Sequence, residues 1–335
     1  MITIAFFNNK GGVGNTSLVY HLAWMFQDLG LSVVAADFDP QANLTSMFLN
    51  EDRLEELWPS GKHPLTIRGV IDPIIRGLGD NILTPHVEAV SQKIGLIAGD
   101  LEFSSFEDTL SDAWSKCQNG DEAAFNVMTA LYRTARTAGG DREADIVLMD
   151  VAPNLGAMNR SALISADYVV VPLSSDVFAL QGLRTMGPKL REWHDAWRNL
   201  EKGFLPDLAY PIPSGYMHPI GYVVMQHAIR VDRPVKAHLR WMGKIPSEFH
   251  TSVLNDDANL PEPYPVTEDK FCLATLKHYR SLMPLAMESR KPMFHLRPAD
   301  GAIGSNIEAV KDCYQDFKKL AIRIAESTQL ELPAR

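Results

Sequence analysis

The sequence predicts an α/β fold in which a largely parallel, twisted sheet carries helices on both faces. Three observations predict it. Short apolar runs lack the polar alternation of half-exposed strands, longer amphipathic segments separate these runs, and a glycine-rich turn follows the first run directly. With 46% apolar residues among 335, the chain can bury a full core.

Six continuous apolar runs are predicted as strands that are buried on both faces, because exposed faces would show alternating polar residues. The runs are "ITIAFF" (2–7), "SVVAADF" (32–38), "KIGLIAG" (93–99), "DIVLMDV" (145–151), "YVVVPL" (168–173) and "IGYVVMQ" (220–226).

Two amphipathic segments are predicted as helices whose apolar stripes face the core. The stripes consist of Leu18, Leu22, Phe26 and Leu29 in the first segment, and of Leu180, Leu183, Met186, Leu190, Trp193 and Trp197 in the second. The stretches 200–219 and 255–270 are rich in proline and polar residues, and we interpret them as long surface connections within one domain.

Composition excludes several classes of protein. The net charge is −9, from 32 basic and 41 acidic residues, which argues against a protein that coats nucleic acid over its whole surface. Cys117, Cys272 and Cys313 lie far apart and form no C-x-x-C pair, which favours buried thiols in a reducing compartment. No signal peptide and no apolar run of membrane-spanning length is recognisable, so we expect a cytoplasmic protein without a membrane partner.

The turn after the first strand has the form of a phosphate-binding loop. Gly11, Gly12 and Gly14 precede a helix that should begin near Asn15, and such a loop aims backbone N–H groups at an anion from a helix N-terminus. Thr16 stands where the loop's hydroxyl ligand to Mg²⁺ is expected. The pattern G-x-x-x-x-G-K-[ST] places lysine at position 15, where this chain has asparagine.

Three aspartates are predicted to lie beside this loop. Asp37 and Asp39 come at the end of the second strand, and Asp150 comes near the end of the strand at 145–151. Ligands of open α/β sheets gather at the carboxyl ends of the strands. A single aspartate there could be a loop cap, but three beside a phosphate loop indicate a metal and phosphate site.

Together these segments resemble the ParA/MinD family of deviant Walker-A P-loop ATPases, and most closely its ParA partition branch. The resemblance rests on "KGGVGNTS" (10–17), "ADFDPQANLTS" (36–46), "DVAPNLG" (150–156), "ADYVVVPLSSDVFALQGL" (166–183) and "SRKPMFHLRP" (289–298). It extends from Ile2 to about Leu320 and implies a single ATPase domain over 1–335, with inserts near 52–65, 200–218 and 244–270.

The resemblance implies ATP and Mg²⁺ as cofactors and assigns roles to single residues. Lys10 matches the signature lysine that reaches the partner's phosphates across a nucleotide-sandwich homodimer, and Asp39 matches the residue that positions the attacking water. Thr16, Asp37 and Asp150 match the metal site. The nucleotide-binding residues would be Gly11, Gly12, Val13, Gly14, Asn15, Thr16 and Ser17.

Asn15 departs from the family pattern, because the family has a lysine there that neutralises the β and γ phosphates. A lost charge-assisted hydrogen bond weakens affinity by about 1.5–3 kcal/mol, which is roughly ten- to hundredfold. We therefore expect ATP hydrolysis to be reduced or lost. Two explanations stay open: a single lesion in an otherwise complete ATPase, or natural tuning in which the Asn15 amide hydrogen-bonds to a phosphate.

The partition branch is the one that the remaining residues favour. Iron proteins of the family need paired cysteines, and a membrane-binding C-terminal helix would need a basic face, which Glu326 and Glu331 interrupt. Family members of this branch bind DNA without sequence preference through basic residues. The candidates here are Arg230, Arg233, Lys236, Arg240, Lys277 and Arg280, with Lys318 and Lys319 further along.

The expected function is an ATP-dependent dimerising switch that positions DNA or another large cargo, associates with the nucleoid when ATP is bound, and is stimulated by a ParB-like or adaptor protein. Two alternatives stay open. One is a non-hydrolysing, nucleotide-responsive regulatory scaffold of the same fold. The other is a membrane-bound placement protein.

Overall fold

A computed structural model describes residues 1–78, 82–204, 210–225, 240–256, 260–279 and 281–333. Within them the chain forms a mixed sheet. Its strands are β1 (Ile2–Phe6), β2 (Val33–Phe38), β3 (Glu88–Ala89), β4 (Ile94–Ile97), β5 (Ile146–Val151), β6 (Tyr168–Ser174), β7 (His218–Met225) and β8 (Cys272–Leu276).

The sheet has eight strands in the order β3-β4-β2-β5-β1-β6-β7-β8. All pairs are parallel except β3 with β4, which is antiparallel. The predicted α/β class and all six predicted strands are confirmed. Sequence reasoning missed β3, which has only two residues, and β8, whose five residues follow a polar, proline-rich stretch.

Helices connect the strands and cover both faces of the sheet. They are α1 (Asn15–Asp28), α2 (Asn43–Phe48), α3 (Glu51–Leu57), α4 (Ile67–Val70), α5 (Asp72–Ile75), α6 (Phe106–Cys117), α7 (Glu122–Met128), α8 (Ala130–Asp141), α9 (Ala157–Ile164), α10 (Val177–Phe204), α11 (Ile245–Glu248), α12 (Leu282–Ser289) and α13 (Ser305–Thr328). A π-helical segment, Phe249–Leu254, follows α11, and short 3₁₀ turns lie at Leu101–Ser105, Val266–Glu268, Met293–His295 and Pro298–Asp300.

Alternate residues of each central strand enter two separate cores, because successive side chains of a strand point to opposite faces. Ala5 and Phe7 pack into one core, which also receives the predicted stripe of α10. Ile4 and Phe6 pack into the other, together with the stripe of α1 and the inner face of α13. Burial on both faces explains why the strands read as continuous apolar runs.

The three cysteines are free and buried, as predicted. In the part of the chain that the structure describes, every helix is too short or too polar to cross a membrane.

Candidate nucleotide site

The phosphate loop lies at the carboxyl end of β1, in the middle of the sheet. Gly12 and Gly14 have φ values of 74° and 97°, in the left-handed region where a Cβ is strained, so glycine suits both positions. Helix α1 begins at Asn15, as predicted, and Gly14 at its N-cap has no side chain to accept hydrogen bonds from the first-turn amides. These N–H groups are therefore free to bind an anion.

Asn15 occupies the first position of α1 and is 9% exposed. Its Oδ1 is buried and accepts no hydrogen bond from any described residue. Burying a polar atom without a partner is unfavourable. The position that holds lysine in a phosphate loop of standard pattern therefore carries a neutral amide with an unsatisfied oxygen.

Two of the predicted carboxylates lie side by side on neighbouring strands. Asp37 on β2 is in register with Asp150 on β5, and Asp150 is in register with Phe6, the last residue of β1. Both aspartates are fully buried. Among the described residues, neither oxygen of Asp150 has a hydrogen-bond partner. Asp37 Oδ1 also has none, whereas Asp37 Oδ2 accepts hydrogen bonds from the Thr45 amide at 2.8 Å and from the Thr45 hydroxyl at 2.7 Å.

Burial is the main reason that these carboxyl groups have raised pKa values. Burial raises the pKa of Asp37 to about 7, with a further contribution from the charge of Asp39 and an opposing one from the hydrogen bonds of Thr45. Burial and the charges of Asp37 and Asp39 raise the pKa of Asp150 well above its usual range, while the nearby Thr16 hydroxyl lowers it in part. Both causes act in the same direction, because burial and a neighbouring negative charge each disfavour the charged form of a carboxyl group.

The side chains of Thr16, Asp37 and Asp150 fit a Mg²⁺–nucleotide complex. The buried carboxylate oxygens without partners are hard ligands that Mg²⁺ or its bound waters accept. Across the described residues, no three histidine, cysteine or acidic side chains form a complete metal-binding group. Mg²⁺ keeps several waters and takes ligands from substrate phosphates, so its sites use few protein ligands. Thr16, Asp37 and Asp150 would hold it.

Asp39 follows β2 at the rim of the same site and is mostly buried. Its Oδ1 accepts a hydrogen bond from the Gln41 amide at 3.0 Å, and its backbone carbonyl accepts one from the Ala42 amide. Burial raises its pKa, and the Gln41 hydrogen bond opposes the shift. The turn thus holds this carboxylate at the edge of the cavity, where it can act on a water molecule.

Lys10 is held by two residues at the end of β6 and just after it. Its Nζ donates to Ser174 Oγ at 2.9 Å and forms an ion pair with Asp176 Oδ2 at 2.8 Å. Burial alone would raise the pKa of Asp176, but the hydrogen bonds and charge of Lys10 lower it below its usual value. Lys10 also lines the cavity of its own chain.

A cavity of about 530 Å³ opens over the phosphate loop. Residues 10–17 form its floor, and Asp39, Gln41 and Asn43 form one wall. Its other end is largely apolar and is lined by Tyr20, Met47, Met283, Ala286 and Met287. Sequence reasoning missed these apolar residues and also Thr45, because a local pattern does not show that α2 and α12 meet at the cavity.

The candidate DNA contacts are only partly described. Arg230, Arg233, Lys236 and Arg280 lie outside the described residues. Arg240 is exposed, and its guanidinium lies 5.4 Å from the centre of the Trp241 ring. Lys277 forms an ion pair with Asp312 at 2.6 Å, which partly neutralises it. Lys319 is exposed and Lys318 is half-buried on α13.

Comparison with known proteins places these features in a family. The AAA_31 family model, described as an AAA domain, matches residues 1–201. Among curated proteins, the chain is 27% identical over 186 residues to Protein IncC of Escherichia coli, covering 56% of this chain and 44% of IncC. It is also 27% identical over 190 residues to the chromosome-partitioning ATPase Soj of Thermus thermophilus, covering 56% of this chain and 61% of Soj. The chain thus spans about half the length of these relatives.

Solved structures share the fold over nearly the whole chain. Protein DIP2308 of Corynebacterium diphtheriae superposes with a TM-score of 0.72 at 20% identity, covering 98% of this chain and 99% of that one. The ParA of pNOB8, solved bound to nonspecific DNA, superposes with a TM-score of 0.58 at 18% identity and covers 98% of both chains.

Proposed function

This chain belongs to the ParA/MinD family of P-loop ATPases, and from that membership we propose that it is an ATP-dependent dimerising switch for positioning DNA or another large cargo. The observation that carries the proposal is the arrangement at the carboxyl ends of β1, β2 and β5. An uncapped helix N-terminus lies beside two buried carboxylates with unpartnered oxygens, under a cavity of about 530 Å³. Such a site suits a polyphosphate with a divalent cation.

The nucleotide would lie along the cavity with its phosphates over residues 11–16. Backbone N–H groups and Thr16 would contact the phosphates and the metal, and Asp39 would orient the attacking water. The base would enter the apolar end beside Met47, Met283 and Met287, where thioether side chains adapt to a flat ring. When bound, Mg²⁺ would neutralise charge on the phosphates.

We propose that Asn15 reduces both nucleotide affinity and hydrolysis. Phosphoryl transfer depends on positioned cations, and an amide cannot supply the charge of the missing lysine. Lys10, Thr16, Asp39 and Asp150 are nevertheless all present, as hydrolysis would require. The second candidate function is a nucleotide-responsive scaffold that binds without turnover, and the neutral amide at position 15, where the family has a lysine, favours it.

DNA is the cargo that the relatives favour. Soj is a chromosome-partitioning ATPase, and the ParA of pNOB8 was solved bound to nonspecific DNA. We propose that this chain binds duplex DNA weakly and without sequence preference through Arg240, Lys277 and the other predicted basic residues, as a nucleotide-bound dimer. A ParB-like or adaptor protein would stimulate its turnover.

The test is sedimentation of the Asn15→Lys protein with Mg²⁺ and a slowly hydrolysed ATP analogue. We expect dimers that do not form without nucleotide and that Lys10→Ala, introduced into the Asn15→Lys background, loses. With ATP, steady-state hydrolysis should be slow in Asn15→Lys and lower still in the unsubstituted chain. A duplex DNA arm at low salt should retain the dimers and release them as salt rises, because phosphate contacts displace counterions.

Equal dimerisation of Asn15→Lys with and without Lys10→Ala would exclude the proposed role of Lys10 at the partner's phosphates, and dimers that form equally well without nucleotide would sink the proposed switch. If Asn15→Lys binds nucleotide and dimerises but does not turn ATP over, the non-hydrolysing scaffold becomes the function. Dimers that ignore duplex DNA at low salt would exclude DNA as the cargo.

A further inference from the structure

The α3–α4 connection, residues 58–66, is fastened to the chain that leaves β4. Within it, His63 Nδ1 lies 2.7 Å from Asp100 Oδ2, and His63 Nε2 lies 3.0 Å from the Pro59 carbonyl oxygen. The Thr66 hydroxyl donates to the same Asp100 oxygen at 2.6 Å. Asp100 is fully buried, so these contacts replace water around its carboxylate and fix the α3–α4 connection beside the end of β4.

The residue that precedes Asp100 is hydrogen-bonded toward the proposed Mg²⁺ site. The Gly99 amide donates to the Thr45 hydroxyl oxygen at 2.7 Å, and that hydroxyl donates to Asp37 Oδ2 at 2.7 Å. On the other side, Trp58 of the α3–α4 connection donates its indole N–H to the Gly99 carbonyl at 3.2 Å. The backbone at Gly99 is therefore held by the α3–α4 connection and in turn holds the Thr45 hydroxyl.

Gly99 also packs directly against the carboxyl group of Asp37. A Cβ at Gly99 would lie 2.7 Å from Asp37 Cγ and 2.8 Å from Asp37 Oδ2, so glycine allows this close approach. A shift of Gly99 would thus disturb Asp37 through two contacts, this packing and the Thr45 hydroxyl. Both contacts involve Oδ2 and leave Oδ1, which has no partner among the described residues, as the oxygen available to a metal or its waters.

We propose that His63 is a positioning residue for the metal-site carboxylate Asp37 and acts on it through the backbone of Gly99. The inference rests on the proposed nucleotide-binding function and gives a role at the metal site to the α3–α4 connection, which lies largely within the insert predicted near 52–65. Loss of a direct hydrogen-bond partner of a metal ligand typically weakens metal binding about 10- to 100-fold. For a residue further along a chain of contacts, an effect of about two- to thirtyfold is expected.

The chain of contacts can be tested without any ligand, by amide hydrogen exchange of the unsubstituted chain and of His63→Gln. The Gly99 amide donates to Thr45 Oγ1, and the Thr45 amide donates to Asp37 Oδ2 at 2.8 Å, so exchange of these two amides reports the contacts around the carboxylate. We expect both amides to exchange faster in His63→Gln, because local opening becomes easier. Unchanged exchange at both amides would overturn the inference.

His86→Gln is the matched control, since it removes a comparable histidine–carboxylate pair. His86 Nε2 lies 2.6 Å from Glu88 Oε1, and Arg53 of α3 donates to Glu88 Oε2 at 3.1 Å. This pair therefore also attaches α3 to the sheet, but at β3 rather than at the end of β4. We expect His86→Gln to leave exchange at Gly99 and Thr45 unchanged.

The consequence for the metal site is measured in the Asn15→Lys background, in which the proposed function predicts tight binding. Affinity for a fluorescent, slowly hydrolysed ATP analogue is measured with Mg²⁺ and with EDTA. The phosphate loop contributes in both conditions, whereas Asp37 contributes only through Mg²⁺. We expect His63→Gln to reduce the affinity gained from Mg²⁺ about two- to thirtyfold and to leave the affinity in EDTA unchanged. Equal weakening in both conditions would show a general structural role for His63 and would overturn the inference.

A double-mutant cycle tests the route from His63 to Asp37. Thr45→Val removes the hydroxyl that joins Gly99 to Asp37 and should reduce the affinity gained from Mg²⁺ about 10- to 100-fold. His63→Gln added to Thr45→Val should then cause little further loss, because the two residues act along one chain of contacts. Fully additive losses would show that His63 does not act through Gly99 and would overturn the assignment.

The Asn15→Lys protein separates failure of this inference from failure of the proposed function. If it gains affinity from Mg²⁺ and His63→Gln gains just as much, the function stands and the role of His63 is wrong. If it gains nothing from Mg²⁺, the proposed metal–nucleotide function is wrong. Hydrogen exchange then decides the inference: faster exchange at Gly99 and Thr45 in His63→Gln alone supports His63 as the residue that positions Asp37, and equal exchange in His63→Gln and His86→Gln overturns it.

Discussion

Two buried aspartates, one on a central strand of the sheet and one beside an edge strand, differ in how many hydrogen bonds they accept. Asp150, on central strand β5, has no hydrogen-bond partner on either oxygen among the described residues. Asp269, just before edge strand β8, is also buried, yet it accepts the Tyr222 hydroxyl at 2.8 Å and the Phe271 amide at 3.1 Å. His250 Nε2 lies 3.4 Å from its Oδ1.

The difference separates a structural carboxylate from one that is prepared for a ligand. Hydrogen bonds compensate Asp269 for the loss of water, and they fix the π-helical segment that carries His250 against β7 and β8. Asp150 has only the nearby Thr16 hydroxyl to favour its charged form, against burial and the charges of Asp37 and Asp39, so an added cation is needed to make that form favourable. The comparison therefore predicts that the same substitution has opposite effects on stability at the two sites.

The largest effect is expected at the partnered site. Asp269→Asn replaces one of the two acceptor oxygens by an NH₂ donor, so one of the hydrogen bonds from Phe271 and Tyr222 is lost or reversed, and the free energy of unfolding should fall by about 1.5–3 kcal/mol. Denaturant unfolding measures it, with Tyr222→Phe as the matched control that removes one donor and has a smaller effect. An unchanged unfolding midpoint in Asp269→Asn would break the comparison, because the hydrogen bonds would then be of no consequence.

A buried histidine on helix α1, which begins at the phosphate loop, should make the stability of the protein depend on pH. His21 on α1 is fully buried; its Nδ1 lies 2.6 Å from the Ser17 carbonyl, and its Nε2 accepts the Met293 amide at 3.1 Å. Both contacts are satisfied by the neutral ring. Burial lowers the pKa of His21 from 6.5 to about 4.

Because the folded-state pKa of His21 is depressed, the unfolded chain binds more protons between pH 6.5 and about 4. The stability that His21 contributes is thus fully present above pH 6.5 and falls as the pH is lowered, by up to about 3 kcal/mol. Unfolding of the natural chain and of His21→Gln across this range measures it, with exposed His194→Gln as control. Parallel pH profiles for the natural chain and His21→Gln would show that His21 makes no such contribution.

Much of the fold could be predicted because burial on both faces leaves a direct mark on the sequence. Strands such as β5 are continuous apolar runs, and the stripe of α10 repeats with helical spacing. Strand β3 left no such mark because two residues show no pattern, and β8 was hidden because its five residues follow a proline-rich connection.

The candidate site could be predicted where its residues are close in sequence or end a strand. The phosphate loop, Asp37 and Asp150 fall into this class. Thr45 and Asp176 could not be found, since each acts on a residue from another element, Asp37 and Lys10 respectively. Their roles follow from packing, which a local pattern does not encode.

The smallest effect on stability is expected at Asp150, and there the direction of the change is the informative result. Asp150→Asn removes a buried carboxylate that has no partner, so without ligand the free energy of unfolding should rise by about 1–2 kcal/mol. The stabilisation that Mg²⁺ and an ATP analogue give to Asn15→Lys should vanish when Asp150→Asn is added, because the metal shell then loses one of its two carboxylates and Asp37 alone does not hold it.

The most direct test that these carboxylates are kept for a metal–nucleotide complex compares two proteins, Asn15→Lys and Asn15→Lys with Asp150→Asn. The free energy of unfolding of each is measured in the presence and absence of Mg²⁺ and the ATP analogue. The account predicts a more stable ligand-free protein that gains nothing from ligand when Asp150→Asn is present. A less stable ligand-free protein that keeps the full gain from Mg²⁺ and nucleotide would contradict it.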